Sequence, residues 1–271
     1  MNRPNPSLPP TPLSPADLLA WNRRAWDAAV ENGSIWTIPV SPAVVARARM
    51  GDWSILLTPT RSVPRAWFPD LVGCNVLCLA GGGGQQGPLL AAAGAHVTVF
   101  DNAPAQLAGD AAVAAREGLT IRCEQGDMAD LSRFADGTFD LIVNPCSTMF
   151  VPDVRPIWRE AWRVLRPGGL FMAGFNNPIS YLFDAFRADE GELVVRHSLP
   201  YSDIADLTEA ERARLIEDEQ PFEWSHTLED LIGGQIEAGF VIVGFYEDRW
   251  AGNPLDALMN TFFATLARKP A

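Results

Sequence analysis

Lysine is nearly missing from this chain: Lys269 is the one example in 271 residues. Basic side chains total 21 against 33 acidic ones, a formal charge of −12. A surface of that sign repels nucleic-acid phosphates and anionic lipid, so neither nucleic acid nor membrane is expected as a partner. Histidine is also scarce, with His96, His197 and His226 making up the full set. The four cysteines, Cys74, Cys78, Cys123 and Cys146, follow no common zinc or redox spacing. No metal centre is therefore expected, and the thiols read as small apolar side chains of buried strands. No apolar run is long enough to cross a bilayer, and Met1-Asn2-Arg3-Pro4 does not open a signal peptide. The expected location is the cytoplasm, where disulfides are not favoured.

Glycine, by contrast, is concentrated. Val76-Leu77-Cys78-Leu79-Ala80 runs into Gly81-Gly82-Gly83-Gly84, followed by Gln85, Gln86 and an Ala/Leu-rich helical pattern. A strand that ends in glycines and turns into a helix lets a ligand approach the backbone and aims free N–H groups at it. The next alternating strand, His96–Phe100, ends on Asp101, nineteen residues beyond Gly82. A glycine turn with such an acid marks a site for a nucleoside-containing cofactor. Gly82 to Gly87 formally fits a dinucleotide fingerprint, but so glycine-rich a run fits many templates.

The rest of the chain is organised around this point. Six prolines among residues 1–15 predict an extended leader. Ser14-Pro15-Ala16-Asp17 opens a helix bearing Leu18, Leu19, Trp21, Ala25, Trp26 and Val30. A second short helical segment covers Ala43–Met50, and residues 16–70 read as a helical cap. Strands are expected at 76–80, 96–100, 120–124, 139–143 and 170–175, alternating with helices at 85–93, 103–117, 129–134 and 154–165. That alternation predicts an α/β fold with a doubly wound, mostly parallel sheet. Residues 176–226 interrupt the rhythm with charged helical pieces at 185–192 and 207–219, as a substrate-covering insertion would. Thr227, with Asp230 three residues on, caps a further helix ending at Gly239, and strands at 240–246 and 260–267 bring the count to seven. The core domain is thus placed at 71–271.

Three later motifs accompany the glycine turn: Gly126-Asp127-Met128, Phe139-Asp140-Leu141-Ile142, and Arg166-Pro167-Gly168-Gly169. Together these residues resemble class I S-adenosylmethionine-dependent methyltransferases of the small-molecule type, over about residues 70–175 and more weakly over 227–268. The resemblance implies a Rossmann-like sheet of seven strands with the last antiparallel, S-adenosylmethionine as cofactor and a small-molecule acceptor. It implies that Ala80, Gly81, Gly82 and Gly84 meet the methionine and ribose of the cofactor, with Gln85 and Gln106 beside them. Asp101 then takes the ribose hydroxyls, Asn102 lies near the adenine, and Gly126, Asp127 and Met128 meet the adenine ring. Asn144 and Pro145 fall under the transferring methyl.

The chain departs from the family pattern where Cys78 replaces an acid and Ala80 replaces the first loop glycine. Alanine tolerates positive φ poorly, so the turn is expected to begin in an ordinary conformation, with Gln85 and Gln86 replacing the lost hydrogen bonds. Nine tryptophans are many for this length; Trp21, Trp26, Trp36 and Trp53 either pack the cap or wall a lid. His197, Tyr201 and His226 are candidate general bases, each with a structural role as the plainer reading. A sulfonium methyl is already electrophilic, so no conspicuous catalytic cluster is required. Two alternatives remain at this point: an NAD-dependent oxidoreductase, disfavoured by the near-absence of lysine, and a non-catalytic S-adenosylmethionine-binding protein.

Overall fold

A computed structural model describes residues 14–250, 252 and 254–271. Most of the proline-rich leader lies outside the described residues. The centre is a seven-stranded sheet of order β3-β2-β1-β4-β5-β7-β6. Its strands are β1 (Asn75–Leu79), β2 (His96–Asp101), β3 (Ile121–Gln125), β4 (Phe139–Asn144), β5 (Leu165–Asn176), β6 (Val241–Asp248) and β7 (Phe262–Arg268). The first five pair in parallel, and β7 runs antiparallel between β5 and β6.

The middle of the sheet is buried on both faces, as the continuous apolar runs of β1 and β4 require. Side chains alternate across each strand, so β1 sends Leu77 and Leu79 to one core and Val76 and Cys78 to the other. The first core packs on α5 (Arg155–Val164), whose Trp158 has no exposed surface. The second packs on α3 (Gln86–Ala92) and α4 (Pro104–Glu117), and α4 stops where Gly118 turns left-handed at φ +64°. Ile55, Leu57 and Val63 are buried in that second core, inside the segment assigned to the cap.

The cap begins with α1 (Pro15–Glu31), held by a reciprocal Ser14–Asp17 capping box, and continues with α2 (Pro42–Arg49). The insertion carries α6 (Ala185–Asp189), α7 (Asp203–Asp206) and α8 (Glu209–Glu217). Cap and insertion join. Asn22 exchanges hydrogen bonds with the Phe222 backbone, and the Trp21 indole donates to the Gln220 carbonyl. Trp21, Ile216, Phe222 and Trp224 form a third apolar cluster there.

Three local expectations need correction. Residues 129–134 form turns rather than a helix, because Asp127, Asp130 and Glu160 carboxylates take the N–H groups of Ala129, Ser132 and Leu131. Arg166–Gly169 is a bulge inside β5 and does not precede the strand: Phe139 pairs with Leu165 but Leu141 pairs with Leu170. The helix after Thr227 opens as a π-helical turn (Glu229–Gly233) before α9 (Gly234–Glu237).

Candidate functional site

A cavity of about 520 Å³ opens at the carboxyl ends of β1, β2, β4 and β5, under the joined cap and insertion. In a parallel α/β sheet that edge is where helix N-termini and strand-end loops converge. Its floor is the glycine turn, with Ala80, Gly81, Gly82 and Gln85 on the wall. Asp101 and Asn102 from the end of β2, and Gln106 from α4, form one side. Gly126, Asp127 and Met128 follow β3, and Pro145 follows β4.

Asp101 serves the protein before it serves any ligand. One carboxylate oxygen accepts from Gly82 N at 3.0 Å and the other from Ala103 N at 2.9 Å. Burial raises its proton affinity, and the two N–H donors oppose that rise. A carboxylate accepts about four hydrogen bonds, so capacity remains for ligand hydroxyls. Gly82 has to be glycine, since a Cβ there would lie 2.7 Å from the Gln106 Cβ. The Gln106 side-chain oxygen, Oε1, is buried with no partner.

Two expected site residues lie off the wall. Gly84 is tied beneath the floor, its N–H donating to Asp110 at 2.9 Å. Asn144 is fully buried and braces the strand ends through Leu79 O and Ser147 Oγ, both at 2.8 Å. Asn102 reaches the wall with its side chain engaged by the cap, at Leu19 O and Arg23 Nε.

The irregular turn is resolved differently from expectation. Ala80 takes φ +47°, the left-handed region that alanine disfavours, and its N–H reaches Phe100 O at 2.7 Å. The β1–β2 pairing thus sets the turn, whatever the residue's preference. Gln85 and Gln86 spend their amides on the cap, at Ile35 O, Ile38 O and Leu56 O. Cys78 is sealed in the second core, where burial pushes its thiol far up. An acid does lie beneath the turn, but on α4: Asp110 has no exposed surface, an unpartnered Oδ1, and a proton affinity pushed up to about 7 by burial.

None of the proposed bases reaches the cavity wall. His226 Nε2 meets Thr148 O at 3.0 Å, and burial lowers its pKa. His197 packs on Tyr201, whose hydroxyl donates to Asp203 at 2.5 Å. The single lysine is structural too: Lys269 Nζ donates to the Trp162 and Leu165 carbonyls, closing the end of α5. Of the early tryptophans, Trp26 and Trp36 line the cavity, while Trp21 ties α1 to the 176–226 segment and Trp53 packs on Phe68. Sequence reading missed Asn176 and Glu223 on the wall. Neither sits in a motif; Asn176 is visible only as a polar residue at a strand end.

A methyltransferase-domain family matches residues 77–173, the span from the first strand into the fifth. An uncharacterized methyltransferase of Bacillus subtilis, YbaJ, is 49% identical over 93% of this chain and 98% of its own length. The chain belongs to the S-adenosylmethionine-dependent methyltransferase family. A solved methyltransferase of that kind from Mesorhizobium loti shares the fold, with TM-score 0.56 and 20% identity over 75% of this chain and 94% of its own. A sterol 24-C-methyltransferase of Gibberella zeae is 34% identical over 37% of this chain and a quarter of its own length. Family membership decides the cofactor, and the oxidoreductase reading falls. The methyltransferase's cavity fits that cofactor: an open glycine floor, a strand-end carboxylate with spare acceptor capacity, and Phe100 with Met128 as apolar walls.

Proposed function

We propose that this methyltransferase moves a methyl group from S-adenosylmethionine to a small-molecule acceptor, with both held in the one cavity beneath the lid. The observation that carries the reading is continuity. The same cavity is walled by Gly81, Gly82 and Asp101 at one end and by Phe150, Asn176 and Glu223 at the other. Asp101 lies at the end of β2 and Asn176 at the end of β5, three strand spacings or about 14 Å away. That span leaves room for an acceptor beside the cofactor.

In this reading Asp101 accepts the ribose hydroxyls, and Gly81 and Gly82 let the backbone approach the methionine portion. Asp127 and Met128 bound the adenine. S-adenosylmethionine supplies an activated methyl on sulfur, so the protein's task is alignment and exclusion of water. Trp26, Trp36 and Phe150 from the lid serve that exclusion. The cap at 16–70 and the insertion at 176–226 act together in it, with the functional boundary of the cap before Ile55. We place the protein in the cytoplasm, a choice supported by four unpaired cysteines.

A metabolite screen by mass spectrometry, with S-adenosylmethionine and purified protein, tests the reading. Gain of one methyl mass by a small molecule, with release of demethylated cofactor, is expected. Cofactor binding without any transfer would leave the non-catalytic alternative standing.

A further inference from the structure

At the β5 end of the cavity three side chains form a hydrogen-bonded row that none of the sequence motifs contains. Asn176 Nδ2 donates to the Tyr181 hydroxyl at 3.2 Å, and that hydroxyl donates to Glu223 Oε2 at 2.6 Å. Both ends of the row, Asn176 and Glu223, line the cavity, and the Asn176 Oδ1 is buried with no partner. With Oε2 engaged, Oε1 is the Glu223 oxygen left for a ligand. The row therefore offers two hydrogen-bond acceptors, beside the one Asn176 Nδ2 hydrogen that Tyr181 does not take.

The row is held in place from behind. The Glu223 backbone N–H donates to Asp203 at 2.7 Å, and Asp203 also receives the Tyr201 hydroxyl. Tyr181 stacks on Tyr201, and Trp224 N donates to Met149 O in the loop after β4. Among the described residues the wall carries five acids, Asp101, Asp127, Asp218, Glu219 and Glu223, against one cation, Arg23, which is tied to Asn102. Trp26, Phe150 and Phe262 add aromatic faces.

We infer that Glu223 is the general base for an amine acceptor, which it receives as the ammonium together with Asn176. Two acceptor oxygens in one row suit a group with at least two N–H bonds, and an acidic, aromatic wall favours its positive charge. This inference rests on the methyl-transfer reading above. The nitrogen gives one proton to Glu223 Oε1 and forms a bond to the methyl carbon with the freed lone pair. The methyl carbon–sulfur bond breaks with its electron pair passing to sulfur. Tyr181 positions the carboxylate by donating to its other oxygen. Burial and the Asp203 charge push the Glu223 carboxyl up to about 7, with the Tyr181 hydrogen bond opposing, so the group can both take and return a proton near neutrality.

Two measurements test the assignment. Transfer of labelled methyl from S-adenosylmethionine is screened across primary and secondary amines and their hydroxyl counterparts at pH 8. Labelled amines are expected, and Glu223→Gln should lower the rate at least about a hundredfold, with cofactor affinity unchanged and melting temperature not lowered. The acid limb of the wild-type rate should fall near pH 7 and move upward in Tyr181→Phe, which removes the opposing hydrogen bond. Infrared difference spectra of wild type against Glu223→Gln, recorded without cofactor or acceptor, should show a carboxyl titrating near pH 7. Label on hydroxyls or carbon only, no label on any amine, an unaffected Glu223→Gln, or a carboxyl titrating in the ordinary range overturns the inference. Failure to bind S-adenosylmethionine at all would refute the methyl-transfer reading instead.

Discussion

Replacing Asp110 with asparagine should stabilise the protein by an amount that grows as pH rises from about 4 to about 7. The carboxyl is fully buried under the glycine turn, holds Gly84 N–H with one oxygen, and has no partner for the other. Burial raises its proton affinity from 3.8 to about 7. A carboxyl raised in the folded state binds more protons folded than unfolded, so stability falls as pH climbs between the two values. The full window corresponds to about 4 kcal/mol, from roughly three pH units at 1.36 kcal/mol each. Between pH 5 and pH 8.5 the part still to be lost is about 2–3 kcal/mol. Asparagine keeps an oxygen for Gly84 and carries no charge. The stability gap between Asp110→Asn and wild type should therefore widen by that amount, or by about 4–10 °C in melting temperature. Denaturant unfolding of both proteins at the two pH values measures it. A gap independent of pH, or one that narrows as pH rises, would refute the account of a buried, largely protonated carboxyl.

Other predictions concern the turn, the lid and the cap boundary. Ala80→Gly relieves a left-handed alanine, worth about 1–2 kcal/mol, and loses about 0.4–1 kcal/mol through the unfolded chain. Unfolding stability should rise slightly or hold; a loss above about 1 kcal/mol would show that the turn is unstrained. Removing residues 1–33 strips α1 from the third apolar cluster, leaving a folded protein with impaired transfer. Removing 1–70 also takes Ile55, Leu57 and Val63 from the sheet core, and cooperative thermal unfolding should disappear. If the shorter truncation transfers methyl at the full rate, the lid has no part in the reaction.

How much of this was legible beforehand follows from how local each cause is. Alternating strands and helices gave the sheet, because buried parallel strands need apolar runs that periodicity exposes. The glycine turn and Asp101 are adjacent in space through neighbouring strands, so their motif survives in one dimension. Ala80 misled because a residue's own preference of about 1–2 kcal/mol yields to a backbone fixed by sheet pairing. The turns at 129–134 were misread because capture of N–H groups by nearby carboxylates competes with helix without altering apolar spacing. Asn176, Tyr181 and Glu223 were invisible: Tyr181 and Glu223 lie 42 positions apart and meet only when the insertion folds back on β5.

Calorimetric titration of S-adenosylmethionine into wild type and Asp101→Ala tests the central claim most directly. Wild type should bind one equivalent, and the variant at least about tenfold more weakly, since each hydrogen bond to a charged acceptor contributes about 1.5–3 kcal/mol. Equal affinities in two equally folded proteins, or no binding by wild type, would contradict the account.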